Sequence, residues 1–436
     1  MQTRHTTSLH GRSTLLPILA VALLLAACGG GSGSMAPNPG GGGGGSGNTA
    51  VPPAVTQAQQ AGTPVDPTLI GADNTFGLNL LNTLLASNSG NVAISPTSLN
   101  MALQILYNGA GGSTAQAMSQ TLQLQSLSLA TLNNDNAALE ASLLNPDPDV
   151  QITLANSLWM HLTDNPVLPN FTQLNQTYYG AEIGDLSGAP ANVNAWIANV
   201  TNGLITNILP PGNYGPDAVV AVIANAIYFK GEWTVAFDPT LTAPAPFTLS
   251  DGTQVSCQMM HQAGSFSFYG GNNYGVLRIP YGQTGHLSMW IVLPNAGVNL
   301  NTLVATITPA MFGTWDSGLQ TINVELGLPR FTTRFGASLP SPLTALGMGV
   351  AFNPALADFS ALAPDTYVSD IEHQTVVEVD ESGTVAAGAT TITVAPTVAG
   401  LPPAQFLIDQ PFFYAIRDDQ TGALLFIGTM ENPTSG

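Results

Sequence analysis

Residues 219–233 read Val-Val-Ala-Val-Ile-Ala-Asn-Ala-Ile-Tyr-Phe-Lys-Gly-Glu-Trp, and this stretch decides the fold. Its first part, Val219–Ile223, is apolar and rich in β-branched side chains, which is typical of a central strand buried on both faces. Further strands are predicted in the second half of the chain, at His286–Leu293, Thr375–Val379 and Leu424–Gly428. The stretch is therefore predicted to lie inside a large sheet.

The segment before this strand has helical periodicity instead. Asp73 is predicted to cap a helix in which Phe76, Leu80 and Leu84 share one face. A second helix is predicted to start at Ser98. Because helices come first and many strands follow, the fold class is predicted to be α+β.

The chain is acidic and poor in charged residues. Of its 436 residues 8% are charged, with 26 Asp and Glu against 7 Lys and Arg, which gives a formal net charge of −19. This sign repels phosphate backbones, so we expect no nucleic acid partner. The 44% of hydrophobic residues supply enough apolar material for a sizeable core in one large domain or two small ones.

No catalytic constellation is found in the sequence. There is no Gly-x-Ser-x-Gly nucleophile motif. The histidines outside the N-terminal segment are scattered rather than paired at ligand spacing, at positions His161, His261, His286 and His373. We therefore expect the protein not to be an enzyme and to need no cofactor and no metal ion.

The N-terminus has the layout of a bacterial export signal. Arg4 and Arg12 precede the apolar run Leu15–Ala27, which is too short to span a bilayer. The run ends in Leu-Ala-Ala-Cys28, which resembles the lipobox of bacterial lipoproteins. That resemblance implies cleavage before Cys28 and acylation of this cysteine, which anchors the chain to a membrane. The alternative is an ordinary secretory signal peptide that is cleaved after Ala27.

Three regions are predicted from these features: a lipoprotein signal peptide at 1–27, a lipidated tether at 28–65 and a folded domain at 66–436. Residues 29–53 contain eleven glycines and no charge, which suits a flexible tether. Gly29 after the cysteine resembles the outer-membrane-sorted type, so we expect a lipoprotein of the outer membrane or cell surface. The remaining cysteine, Cys257, has no partner for a disulfide within one chain and is predicted to be buried.

Five separated blocks between residues 73 and 433 make the chain similar to the serpin family of serine protease inhibitors. The blocks are, in order, 74–76 with 94–98 and 106–110; 224–233; 325–330 with Leu343 and Leu346–Met348; 373–389; and 406–431, which contains Asp-Gln-Pro-Phe-Phe at 409–413. Their common order and spacing, more than any one block, carries the resemblance.

The resemblance implies a serpin fold with three β-sheets, about nine helices and an exposed reactive-centre loop at about residues 381–405. By position, one set of residues matches the polar cluster that controls opening of the main sheet, namely Ser95, Ser98, Asn225 and His373. The structural interpretation of these side chains nearly coincides with the functional one, because the cluster acts by satisfying buried hydrogen bonds. Trp233 matches the tryptophan at the top of the sheet, where the loop first enters.

The activity implied by the resemblance is suicide inhibition. A serine protease attacks the loop and forms an acyl-enzyme, and the cleaved loop then joins the main sheet as a strand and deforms the attached protease. After Glu381, the hinge implied by position has small, uncharged side chains at Gly383, Thr384, Ala386, Ala387, Gly388 and Ala389. No proline occurs from Thr384 to Ala395, so this backbone is able to form both ladders of a central strand.

Two counts place the reactive bond differently. Counting forward from Glu381 by family spacing gives Thr397–Val398, whereas counting back from the far end of the loop gives a bond near 399–400. We predict Thr397–Val398, within a window that extends to Leu401. The loop contains no Arg or Lys, which argues against trypsin-like targets, and its small residues favour elastase-like or subtilisin-like serine proteases. A register at Leu401 would favour a chymotrypsin-like target instead.

The competing hypothesis is a non-inhibitory serpin-fold protein used for binding at the cell surface. The tether and the scarcity of charge suggest it, but a binding protein would not need the small, uncharged hinge. Heparin-type activation is not expected, because residues 108–124 contain no basic side chain. We expect a monomer, attached to a membrane by its lipid, whose partners are serine proteases.

Overall fold

Most of the apolar stretch around Asn225 forms one long buried strand. In the computed structural model, which describes residues 64–144, 146–216, 220–384 and 404–435, this strand spans Ala221–Glu232. Successive side chains of a strand point to opposite faces. Ile223 and Ile227 accordingly pack into the large core, and Val222 and Ala224 pack into a smaller one on the other face. Burial on both faces explains why the stretch is apolar almost without interruption.

Nine α-helices lie within the described residues: α1 Pro67–Leu85, α2 Pro96–Tyr107, α3 Gly112–Thr121, α4 Leu129–Leu143, α5 Pro169–Tyr179, α6 Ala191–Val200, α7 Leu300–Val304, α8 Pro309–Gly318 and α9 Pro340–Leu343. The same residues contain fifteen strands: β1 Val92–Ile94, β2 Val150–Met160, β3 Glu182–Asp185, β4 Ala221–Glu232, β5 Ala243–Thr248, β6 Gln254–Gly270, β7 Tyr274–Tyr281, β8 Leu287–Pro294, β9 Gln320–Pro329, β10 Phe331–Ser338, β11 Asp370–Val379, β12 Gly383–Thr384, β13 Ala404–Leu407, β14 Phe412–Asp418 and β15 Leu424–Met430. The predicted α+β class is confirmed.

The strands form two connected sheet systems. The main sheet has the order β10-β11-β12-β4-β2-β3, with an additional pairing between β11 and β4. The other system has the order β1-β15-β14-β8-β7-β6-β9-β13, and β5 pairs with β6. The 17-residue strand β6 pairs with β5 near its start and with β7 near its end. Two of the three expected sheets are therefore continuous through β6.

Helix α1 begins earlier than predicted. Asp66 caps it, since its Oδ1 accepts a hydrogen bond from the backbone N–H of Thr68 at 2.8 Å, and Pro67 occupies the first helical position. Both residue types are favoured there. The prediction that Asp73 caps this helix is wrong, because Asp73 lies inside it and is buried. The apolar periodicity used for the prediction starts later than the cap does.

Helix α2 also begins before its predicted start at Ser98. Ser95 is the capping residue, and its Oγ accepts a hydrogen bond from the backbone N–H of Ser98 at 3.3 Å. Pro96 follows as the first helical residue, as in α1. The cap therefore lies in the same Ser95–Ser98 segment that the resemblance assigns to the polar cluster.

Several smaller predictions are confirmed. Each predicted strand overlaps an observed one, namely β4, β8, β11 or β15, although β4 and β8 are described as starting at Ala221 and Leu287. Cys257 is a buried residue of β6, with 3% of its surface exposed.

Within the ranges that the structure describes, no helix combines the length and the apolar character needed to cross a membrane.

Candidate functional site

Strands β4 and β11 are neighbours in the main sheet along only part of their length. Residues 370–374 of β11 pair in parallel with 222–226 of β4. Further along, β12 lies between the two strands, where Thr384 pairs with Val379 of β11 and with Gly231 of β4. The short strand is antiparallel to both neighbours. We call this space between β4 and β11 the slot, and its end next to Gly231 is already filled.

The first two residues in the slot are held by tight packing. A Cβ atom on Gly383 would lie 2.0 Å from the carbonyl oxygen of Gly231 and 2.8 Å from the Cα of Glu232. Because these are backbone atoms, only glycine fits at this position. Thr384 is 1% exposed, and its hydroxyl lies 2.6 Å from that of Tyr281. Two of the predicted hinge residues are therefore already part of the sheet.

Glu381 fixes the chain where it leaves β11. Its carboxylate accepts hydrogen bonds from the guanidinium of Arg330 and from Thr242 Oγ1 at 2.6 Å, and its carbonyl oxygen accepts one from Phe237 N at 2.8 Å. Burial would raise the pKa of Glu381, but the hydrogen bonds from Thr242 and Arg330 outweigh it, and the pKa lies below its ordinary value. The carboxylate is therefore ionised at neutral pH and anchors the base of the hinge.

Trp233 covers the turn that leads into the slot. Its ring stacks on Tyr281 with centroids 4.4 Å apart and an interplanar angle of 11°. Its Nε1 donates to the carbonyl oxygen of Asp380 at 2.9 Å, and its backbone N–H donates to that of Ser382 at 2.9 Å. The Asp380 carboxylate in turn accepts from the backbone N–H groups of Ser382 and Gly383, at 2.8 and 3.2 Å. The predicted tryptophan thus contacts the hinge directly.

The four residues of the predicted polar cluster lie together and are fully buried. Asn225 Nδ2 donates to Ser98 Oγ at 2.7 Å, and it also donates to Asn156 Oδ1 at 2.7 Å. The Oδ1 of Asn225 lies 2.8 Å from His373 Nδ1, and the backbone N–H of Ser95 donates to His373 Nε2 at 3.2 Å. These bonds join the start of α2 to strands β2, β4 and β11.

The hydrogen bonds define the protonation state of His373. Because Nε2 accepts a bond from the backbone N–H of Ser95, it carries no proton, and Nδ1 must be the donor to Asn225. Burial lowers the pKa of His373 from 6.5 to about 3, so the ring is neutral at physiological pH. Asn225 and His373 are directly opposite one another, one position before the parallel pairing of β4 and β11 ends. The cluster therefore links β4 and β11, the two strands that border the slot, at a point where they are paired directly with each other.

Some residues of the site were missed by sequence reasoning. Asn156 belongs to the cluster, and its sequence context gave no clear signal, because β2 contains several polar residues. Its buried amide needs a partner, and Asn225 supplies one. Arg330, Thr242 and Tyr281 hold the hinge, yet they are between 51 and 139 residues away from it in sequence. No local pattern marks such contacts.

Other predicted residues cannot be located in the fold. The reactive bond Thr397–Val398, the hinge residues Ala386, Ala387, Gly388 and Ala389, and the lipidation site Cys28 all lie outside the described residues. Within the described ranges, no group of three or more His, Cys, Asp or Glu side chains is arranged to hold a metal ion. The described part of the site consists of the slot, the hinge residues Glu381, Gly383 and Thr384, and the polar cluster.

Comparison with known proteins identifies the family of the chain. The family model for Serpin (serine protease inhibitor) matches residues 71–433. An uncharacterized serpin-like protein of Methanosarcina acetivorans is 32% identical over 378 residues, which cover 83% of this chain and 85% of that protein. The leukocyte elastase inhibitor of Homo sapiens is 32% identical over 388 residues, covering 84% of this chain and 99% of that protein.

Solved structures agree with the sequence matches. The thermophilic serpin tengpin in its native state matches with a TM-score of 0.78 and 28% identity, over 87% of this chain and 99% of that one. Thyroxine-binding globulin in complex with thyroxine matches with a TM-score of 0.75 and 26% identity, over 84% of this chain and 100% of that one. Serpins are typically protease inhibitors rather than enzymes, although some do not inhibit. The predicted serpin fold is confirmed, and the chain belongs to the serpin family.

Proposed function

We propose that this serpin is a suicide-substrate inhibitor of elastase-like or subtilisin-like serine proteases. The observation that carries the proposal is strand β12, in which Gly383 and Thr384 already occupy the slot between β4 and β11. Thr384 enters without steric conflict because its side chain is small and its hydroxyl has a partner in Tyr281. The residues that follow in the loop are equally small and uncharged, so the same strand is able to continue along the slot.

The sheet geometry supplies a driving force for this continuation. Full insertion would separate the five parallel residue pairs between β4 and β11 and replace them by two antiparallel ladders. About a dozen inserted residues, at a net of ~1 kcal/mol per backbone hydrogen bond, would release on the order of 10 kcal/mol. This is comparable to the stability of a whole domain, and therefore enough to distort an attached protease.

The composition of the loop supports the choice of target. No charged residue occurs between Glu381 and Asp409, so a trypsin-like protease would find no partner for its acidic specificity pocket. The residues around the predicted bond, Thr397 and Val398, suit a small apolar pocket. We place the reactive bond there, with Leu401 as the far limit of the window.

To test the proposal, the serpin domain at residues 66–436 is mixed with pancreatic elastase and the products are separated on a denaturing gel. We expect a band at the sum of the two masses that survives boiling in detergent, because the acyl-enzyme is trapped before hydrolysis. A Thr384→Arg variant should instead be cleaved without trapping the protease, since a charged side chain cannot enter the buried slot. Thr384→Ser, which keeps the hydroxyl, is the matched control and should still form the complex.

Cleavage of the wild-type loop by elastase, subtilisin and chymotrypsin without any stable complex would contradict the proposal. The same serpin fold would then serve binding rather than inhibition. Mass spectrometry of the small fragment released with the complex assigns the bond, and a cut outside 397–401 would contradict the proposed register.

We also infer that the inhibitor is a lipoprotein, with residues 1–27 as signal peptide, 28–65 as tether and 66–436 as the serpin domain. The basic, apolar and Leu-Ala-Ala-Cys28 segments support the anchor, and an outer-membrane or cell-surface location follows from Gly29. The anchored chain should incorporate labelled palmitate in a bacterial host, and Cys28→Ser should abolish the label. Incorporation that persists in Cys28→Ser would rule out this anchor.

A further inference from the structure

Two arginines line one cavity on the edge strand of the main sheet. The cavity has a volume of about 310 Å³ and lies along β10 next to the C-terminal segment. Its lining residues are Arg330, Phe331, Thr332, Arg334, Pro433 and Thr434. None of these residues is acidic. The lining therefore contributes two positive charges in a chain with a formal net charge of −19.

The two arginines differ from the others of the folded domain. Arg278 and Arg417 both form ion pairs with Asp419, at 2.7 and 2.6 Å, and are largely buried. Arg334, by contrast, is exposed, and within the described residues it makes no ion pair and no side-chain hydrogen bond. Arg330 pairs with Glu381 but leaves 47% of its own side chain exposed. Both guanidinium groups thus have donors available toward the cavity.

We propose that this cavity binds an oxyanion, a phosphate or sulfate group. A guanidinium presents a planar fork of N–H donors that fits such oxygens, and two of them in one concave site provide both charge and geometry. The hydroxyl of Thr332 adds a neutral donor on the same lining. Glu378 lies opposite Thr332 in the register of β10 and β11, and it is the nearest carboxylate in that ladder, although it does not line the cavity. Its negative charge opposes anion binding, so removal of this charge should strengthen binding at the site.

Occupancy of the cavity is coupled to the hinge through Arg330. The side chain of Glu381 is 7% exposed and pairs with the guanidinium of Arg330. Arg330 also lines the cavity. An oxyanion at the cavity competes with Glu381 for Arg330 and weakens the anchor at the base of β12. By reciprocity, release of the hinge strengthens oxyanion binding. This coupling rests on the proposed inhibitory function, whereas the binding site itself does not.

Binding is measured with inorganic phosphate, by the midpoint of thermal unfolding and by ³¹P line broadening, with chloride used to keep ionic strength constant. Phosphate should raise the midpoint of the wild type. Arg334→Ala should weaken phosphate binding about tenfold, the loss expected for a charged hydrogen bond. Glu378→Gln should tighten binding. Lys230→Gln removes one positive charge from β4, away from the cavity, and should leave the affinity unchanged.

Equal phosphate affinity in the wild type and Arg334→Ala, or an equal loss in Lys230→Gln, would overturn the site. Vesicles of phosphatidylcholine with and without phosphatidic acid separate two sources of the anion. Arg334-dependent sedimentation with phosphatidic acid assigns a lipid headgroup, and phosphate binding without vesicle binding assigns a free anion. If the wild type bound neither phosphate nor the phosphatidic acid vesicles, the proposal would be overturned.

The coupling is read from the rate of protease inhibition. Phosphate should accelerate inhibition by the wild type, whereas Glu381→Gln should still bind phosphate but show no acceleration, because its hinge anchor is already weakened. Bound phosphate with an unchanged inhibition rate in the wild type would overturn the coupling alone. A protein that binds phosphate through Arg334 but inhibits no protease would contradict the proposed function and leave the site intact.

Discussion

His373 carries a pH dependence that can be assigned to one residue. Its neutral ring accepts a hydrogen bond from the backbone of Ser95 and donates one to Asn225, so protonation breaks the first bond and buries a charge. The pKa is lowered from 6.5 to about 3 by burial. Because the folded-state pKa lies below the unfolded one, the stability that depends on neutral His373 is complete above about pH 6.5 and is lost as the pH falls toward 3.

We predict that His373→Asn removes this pH dependence, since a carboxamide does not titrate. Between pH 7.5 and 5.5 the free energy of unfolding of the wild type should fall by about 1.4 kcal/mol relative to the variant. Urea unfolding at both pH values measures the difference. Parallel pH profiles for the two proteins would mean that the ring of His373 titrates normally.

Two other carboxyl groups, Glu372 and Glu140, act in the opposite direction in the same pH range. Burial raises the pKa of Glu372 to about 8, with a contribution from Asp370, and burial raises that of Glu140 to about 7. Their folded-state pKa values lie above the ordinary ones, so their protonation stabilises the folded protein as the pH falls. The wild type must therefore be compared with His373→Asn, because the effects of Glu372 and Glu140 are common to both proteins and cancel in the difference.

At the scale of elements, β12 is a strand of only two residues, and its last residue makes one side-chain hydrogen bond to a neighbouring strand. The Thr384 and Tyr281 hydroxyls lie 2.6 Å apart, and the Tyr281 ring is fixed by stacking on Trp233. Two residues form too short a ladder to be stable alone. The stack of Trp233, which follows β4, on Tyr281 of β7 therefore helps to hold this short strand in place.

A double-mutant cycle measures this contact. Tyr281→Phe keeps the ring stack and Thr384→Val keeps the shape, while each removes one hydroxyl. We expect a coupling of about 1 kcal/mol in the free energy of unfolding, the net value of a buried hydrogen bond. Hydrogen exchange at the Thr384 amide should accelerate in either single variant. Additive effects of the two substitutions would show that the hydroxyls do not interact.

At the scale of the whole molecule, the main sheet is held at its centre by a single short parallel ladder between β4 and β11. We predict that cleavage of the loop raises the midpoint of thermal unfolding by on the order of 10 °C, because about 10 kcal/mol of new sheet forms in a large domain. Differential scanning calorimetry before and after elastase treatment tests this. The Thr384→Arg variant, cleaved in the same way, should show no rise. An unchanged midpoint in the cleaved wild type would mean that the loop stays out of the sheet.

Much of the candidate site was predictable, but only in parts. The hinge composition and the residues Ser95, Ser98, Asn225 and His373 follow from blocks that resemble the serpin family, and the fold places these four side chains in one buried network. Asn156 was missed because it is one of several polar residues of β2, and no sequence pattern separates it from the others. The helix starts at Pro67 and Pro96 were predicted too late because apolar periodicity reports the buried face rather than the cap.

The sequence by itself determined the α+β class, the central strand around Asn225, the uncharged segment after Glu381 and the apolar run Leu15–Ala27. These are local properties, set by side-chain size, charge and periodicity along the chain. Only the tertiary structure decided that Arg330 anchors Glu381, that Tyr281 holds Thr384, and that β4 and β11 part to receive β12. Such contacts join residues far apart in sequence, and their formation depends on how whole sheets pack, which no local pattern encodes.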